Sequence, residues 1–248
     1  MSHCSAVVLA AGKGTRMRSD LPKVLHRFRG EPLAVHPVRA ARAAGAEPIV
    51  VVVGHGGDEV RAALDAGFPL GAAPLRYAEQ SEQLGTGHAV SCALPQLVAI
   101  DGPLLVLSGD VPLVRAETLR ELVAACRRSS AGLALGVFTP PDAQGYGRIL
   151  RDAAGLVVGI REQRDASPEE RAIRECNAGT YCVDLDRLRT VLPTVRRDNA
   201  QGEIYLTDIV APMAAMGEVI AVALELEEAA GVNTPEDLAL LESLAAGR

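Results

Sequence analysis

The sequence predicts an α/β fold, Rossmann-like, with a mostly parallel sheet flanked by helices. Three observations lead there. Short apolar, β-branched runs recur along the chain, helical Ala-, Leu- and Arg-rich segments separate them, and the runs are nearly continuous in Val, Ile and Leu, as strands covered on both faces are.

Strands are expected at AVVLAA from residue 6, PIVVVVG from 48, LLVLSGD from 104, GLALGVF from 132, VVGIRE from 157 and TYCVDL from 180. Helices are expected over 33–44, 57–66, 86–98 and 115–128. After residue 130 the pattern becomes mixed, with GYGRI at 145 and a polar stretch over 163–175, which predicts a smaller lobe of sheet and loop. The tail closes with a helix signalled by Thr234 as cap, Pro235 in the first turn and acidic residues just inside. No low-complexity linker divides the chain. The expected organisation is one composite domain over 1–248, with a main lobe of about 1–130 plus the C-terminal part and a smaller lobe of about 131–210.

The chain has 248 residues, 48% hydrophobic and 23% charged, enough for an ample core. Its formal net charge of −6 excludes the basic footprint of a nucleic-acid binder, so a phosphate-bearing ligand must be met by a few placed cations. No apolar stretch approaches the roughly 20 residues of a membrane span. The N-terminus lacks a charged, cleavable leader, which predicts a cytoplasmic protein. Five cysteines without a C-x-x-C pair indicate packing thiols, not a disulfide or zinc framework.

In open parallel sheets ligands lie beyond the carboxyl ends of the strands, so the residues after each run hold the chemistry. The first run ends in AAGKGTRM. A dinucleotide fingerprint would need a third glycine where Met17 stands, and a P-loop would need Ser or Thr where Gly14 follows Lys13. Small residues Ala10, Ala11, Gly12 and Gly14 still let backbone N–H groups approach a phosphate or base, while Lys13 and Arg16 add charge. In DLPKVLH, Pro22 fixes the backbone before Lys23. EQLGTGHA is a second glycine-rich turn opening a helix, with Thr86 available as cap or ligand hydroxyl, and Gln80 and Gln83 supply amides able to read a pyrimidine edge. Asp110 ends a buried strand and is followed by Val-Pro, a natural position for a hard-cation ligand.

Together these stretches resemble the sugar-1-phosphate nucleotidyltransferases, above all the N-terminal uridylyltransferase half of the bacterial bifunctional enzyme that makes UDP-N-acetylglucosamine. The resemblance rests on LAAGKGTRM, LPKVLH, GHGGD, EQLGTGHA, GDVPL, GYGRI, NAGT, NAQGEIYLTDI and GVN, in that order along nearly the whole chain. It implies the nucleotide-diphospho-sugar transferase fold, UTP and a sugar-1-phosphate as partners, and Mg²⁺ as cofactor. It implies that Leu9, Ala10, Ala11, Gly12, Gln80, Gly85 and Thr86 hold the nucleotide. Arg16 and Lys23 match the positions on the triphosphate and the reacting α-phosphate, and Asp110 and Asn233 the two metal ligands. Gly147, Glu162 and Asn177, with Thr86, match positions lining the sugar, which is expected in the smaller lobe. Ser108 stands where close relatives carry Tyr, and Asn177-Ala178-Gly179 replaces Asn-Thr-Gly, so another sugar or another NTP stays open. The β-helix partner domain of the bifunctional enzyme has no room in this length.

Two readings from other classes compete. An NAD-dependent oxidoreductase is opposed by the missing third glycine and by the lack of an acidic residue closing the next strand. A nucleotide-sugar-binding regulator with a dead site is opposed by the joint presence of Arg16, Lys23, Asp110 and Asn233.

Overall fold

The structure, a computed structural model, describes residues 4–68 and 72–246. In chain order it runs through β1 (Cys4–Ala10), a small hairpin of β2 (Arg27–Phe28) and β3 (Glu31–Pro32), α1 (Val35–Ala43), β4 (Ala46–Val53), α2 (Gly57–Ala66), β5 (Arg76–Glu79), α3 (Thr86–Ala93) and β6 (Pro103–Ser108). Next come α4 (Ala116–Arg128), β7 (Leu133–Phe138), the hairpin β8 (Arg148–Arg151) and β9 (Val157–Arg161), α5 (Pro168–Arg171) and β10 (Cys176–Asp184). The chain then forms α6 (Leu185–Val191), α7 (Val210–Ala214), β11 (Ile220–Ala223), α8 (Leu226–Ala229) and α9 (Pro235–Ala246).

The main sheet has the order β11-β7-β10-β6-β1-β4-β5, with β8 and β9 branching from β10. Its pairs are parallel except those of β10, which runs antiparallel to β6, β7 and β8, and the antiparallel β8–β9 hairpin. The centre of the sheet is buried on both faces because β1, β6 and β7, with β4 from Ile49 onward, are apolar at nearly every position. On β1, Ala6, Val8 and Ala10 face the layer of α1 and α4, including Val38, Leu119 and Leu122; Val7 faces Val90 of α3 and Leu188 of α6.

The division into lobes differs from the expectation. β7 and β10, placed by sequence in the smaller lobe, lie within the main sheet, and only the β8–β9 hairpin departs from it. A strand that returns antiparallel carries the same apolar pattern as a parallel one, so its membership is set by partners distant in the chain. A third apolar cluster brings the C-terminal segment to the front of the molecule: Val232 and Leu241 pack with Met17, Phe28 and Leu33. Thr234 Oγ1 accepts from Asp237 N at 3.1 Å, the cap expected for α9.

Candidate active site

The register of β1 against β6 fixes the frame of the site. Leu9 pairs with Ser108, so both strands end level, and Gly109 N donates to Leu9 O at 2.9 Å. The loops after both strands therefore meet in one cleft of about 260 Å³, lined by Leu9, Ala11, Gly12, Lys23, Gln80, Gln83, Gly85, Thr86, Ser108, Asp110 and Glu203, among others. Ala10 is buried at the strand end and takes no part in the lining. Lys13 opens instead on the far side of Gln80, with Gly54 and His55.

The turn after β1 is held against Lys23. Gly14 has φ +61°, and a Cβ there would overlap Cβ of Lys23. No other residue type fits. Lys23 Nζ forms an ion pair with Asp110 and donates to Asn233 Oδ1 at 3.2 Å, while Arg16 Nη2 donates to the same oxygen at 2.9 Å. Two cations and two oxygen donors thus converge from residues 16, 23, 110 and 233.

Opposite them, α3 begins at Thr86. Gln80 is buried, its Nε2 donating to Gly85 O at 3.0 Å and lying 3.2 Å from His88 Nδ1. The amide is thereby oriented by two neighbours. Gln83 Nε2 donates to Gln80 O at 3.4 Å. Thr86 Oγ1 accepts from Leu206 N at 3.0 Å, which leaves its proton for a ligand.

The expected sugar residues form a chain that leads away from Ser108. A Cβ on Gly179 would sit 3.5 Å from Ser108 Oγ. Gly179 N donates to Asn177 Oδ1 at 3.0 Å, and Asn177 N to Gly147 O at 2.9 Å. A Cβ on Gly147 would lie 3.5 Å from both carboxylate oxygens of Glu162. Glu162 lines a second cavity, of about 360 Å³, with Tyr205, Asp165 and Asp208, not the cleft of Ser108. Thr207 Oγ1 turns its carboxylate that way by donating at 3.0 Å. Burial pushes the Glu162 carboxyl above its ordinary range, Thr207 opposes this, and Asp208 and Asp165 add to it.

Four residues of this neighbourhood were missed by sequence reasoning: His88, which faces the Gln80 amide, Glu203 on the cleft wall, Thr207 on Glu162, and Tyr181, whose hydroxyl accepts from Asn177 Nδ2 at 2.6 Å. His88 and Thr207 lie inside recognised motifs, so their position was the available signal.

Residues 6–174 match the MobA-like NTP transferase domain. The chain belongs to this family. It is 50% identical over 244 residues to the bifunctional protein GlmU of Anaeromyxobacter sp. (strain K), covering 98% of this chain and 50% of that protein. It is 49% identical to GlmU of Sorangium cellulosum (strain So ce56), with 98% and 52% covered, and 44% identical to that of Geotalea uraniireducens (strain Rf4), with 100% and 54% covered. The chain spans about half the length of the curated relatives it matches.

As an NTP transferase of this family the protein is a nucleotidyltransferase, a class that typically employs a divalent metal. The residues fit one. Asp110 and Asn233 present hard oxygen donors to a single ammonium, a position a cation already favours. Among the described residues no group of three His, Cys, Asp or Glu side chains is gathered closely enough to hold a metal. Among the described residues no helix is long and apolar enough to cross a membrane.

Proposed function

We propose that the chain is a cytoplasmic uridylyltransferase that moves UMP from UTP to N-acetylglucosamine-1-phosphate, releasing pyrophosphate and giving UDP-N-acetylglucosamine, with Mg²⁺ as cofactor. The observation that carries this reading is the convergence of Arg16, Lys23, Asp110 and Asn233 at the mouth of a cleft whose other wall is Gln80 and the start of α3.

A sugar-1-phosphate oxygen is already anionic near neutral pH and needs no general base. It attacks the α-phosphorus as the bond to the β-phosphate breaks, so the protein's task is alignment and charge neutralisation. Backbone from Leu9 to Gly12 holds the base and ribose, with Gln80, Gly85 and Thr86 across the cleft. Lys23 serves the charge developing at the α-phosphate, and Arg16 the departing pyrophosphate. Asp110 and Asn233 would hold Mg²⁺, which would neutralise phosphate charge. Ser108, Asn177 and Gly147 receive the sugar along the path from the cleft toward the β8–β9 hairpin, and Glu162, whose carboxylate opens into the neighbouring cavity, borders it beyond Gly147.

Pyrophosphate release across four NTPs and a panel of sugar-1-phosphates tests the reading. UTP with N-acetylglucosamine-1-phosphate is expected to turn over best. Glucose-1-phosphate should be accepted at a reduced rate, because Ser108 offers less contact area than a Tyr ring. EDTA should abolish turnover and Asp110→Ala lower kcat on the order of hundreds-fold. Equal use of all four NTPs, or near-normal activity of Asp110→Ala, overturns it.

A further inference from the structure

We infer that Glu228, a residue outside the cleft, is a positioning residue that sets the separation of the two metal-binding oxygens by tying the segment 110–115 to the segment 228–233. The inference rests on the assignment of Asp110 and Asn233 proposed above.

Asp110 and Asn233 are far apart in the chain, and each lies at one end of a six-residue segment. The near ends are joined by Val232 N, which donates to Asp110 O at 2.9 Å. The far ends are joined by Glu228. Its Oε1 accepts from Arg115 N at 3.0 Å and from Thr118 Oγ1 at 2.6 Å, and its Oε2 accepts from Arg115 Nη2 at 2.7 Å. Between these ties the segments touch: a Cβ on Gly231 would stand 3.7 Å from Val111 Cγ2 and 3.9 Å from Cγ of Asp110. The two segments therefore form a closed, packed loop with a metal ligand at one end of each.

Glu228 is only 3% exposed, although the chain around it, ELEEAAGVN, reads as a solvated acidic turn. A buried carboxylate requires compensation, and here three donors supply it. It also occupies the N-terminus of α4, where Arg115 provides no side-chain cap of its own among the described residues. The direction of α4, and with it the span from Asp110 to Arg115, is thus referenced to the Asn233 segment by one side chain. Asp237 Oδ2 fixes the other side of Asn233, accepting from Asn233 N and Thr234 N at 2.9 Å each. Glu228 touches neither the cleft nor the ligands, so its effect reaches the metal only through this geometry.

Glu228→Gln keeps the size and one carbonyl acceptor but removes the charge and sets its amide N–H₂ against the donors at the other oxygen's place, either Arg115 Nη2 or the pair Arg115 N and Thr118 Oγ1. Mn²⁺ binding followed by electron paramagnetic resonance, in the presence of UTP and without turnover, is the readout, with calorimetric UTP binding in EDTA beside it. Outer partners in direct contact with a metal ligand typically change affinity by about 10–100-fold, and Glu228, which acts through the two segments, belongs at the lower end of that range. The expected result is a Kd for Mn²⁺ raised about tenfold or more in Glu228→Gln, with metal-free UTP binding unchanged and kcat at saturating metal largely retained. Glu228→Asp, which restores the charge on a shorter arm, should recover part of the affinity. Unchanged Mn²⁺ affinity in Glu228→Gln overturns the inference, and so does a parallel loss of metal-free UTP binding, which would mark a general loss of structure. If wild type shows no Mn²⁺ site sensitive to Asp110→Ala, the assignment beneath it fails instead.

Discussion

Lys23 occupies the point where the charges of the site meet. Its ammonium bridges Asp110 and Asn233, and only 16% of its side chain is exposed. A flexible four-carbon arm is held there by Gly14 pressed against its Cβ and by Pro22 before it. On the proposed assignment, such an ammonium is poised to trade a carboxylate for a phosphate oxygen when substrate arrives, since a bound metal would take over Asp110. Lys23→Ala is therefore expected to lower kcat by about 10²-fold or more, with a smaller change in KM, since the charge it serves is largest in the transition state. Steady-state kinetics with UTP varied at saturating metal decides. A raised KM with unchanged kcat would make Lys23 a binding residue alone.

At the scale of elements the site depends on how closely α3 approaches the segment 203–206. Gly87 N donates to Ile204 O at 2.8 Å, and a Cβ on Gly87 would lie 2.7 Å from Ile204 Cγ2 and 2.9 Å from Ile204 O. Gly87→Ala should cost about 1–3 kcal/mol of stability by overpacking, read from urea denaturation. It should also raise KM for UTP, because Gly85 and Thr86 move with the helix start. A wild-type midpoint would show that this junction yields freely. β1, β4, β6 and β7, and helices α1 to α4, were legible in the sequence because long apolar runs and 3.6-residue periodicity mark elements that bury whole faces. β5 and β11 were not. Each is four residues long at a sheet edge, and in β5 only Ala78 is buried, too little pattern to register. Glu228 was invisible for a different reason. Its partners lie more than a hundred residues away, and nothing local distinguishes it from Glu227.

Across the whole molecule, the candidate site is assembled from residues between Leu9 and Asn233, so it exists only when the first strand and the last segment are both in place. The motifs gave most of its members, since glycine-rich turns and strand-end carboxylates announce themselves locally; their mutual distances follow from the sheet order and from the cluster of Met17, Phe28 and Val232. Ligands that bridge these parts should stabilise the fold as one unit. At 100 times its Kd a ligand adds about 2.7 kcal/mol, and for a domain of this size each kcal/mol raises Tm by roughly 2–4 °C, so UTP with Mg²⁺ should shift the melting temperature by about 5–10 °C. UTP in EDTA should give only part of that shift, because base and ribose contacts remain while the phosphate charge faces Asp110 without a metal between them. Asn233→Ala removes one oxygen donor, which is also the acceptor shared by Arg16 and Lys23, and leaves Gln80, Gly85 and Thr86 in place. In that variant the metal-dependent increment should vanish while the increment from UTP alone persists, measured by scanning calorimetry at fixed ligand concentration. Should the metal-dependent increment survive in full, Asn233 holds Arg16 and Lys23 in place but no metal, and the second oxygen donor must be sought elsewhere in the cleft.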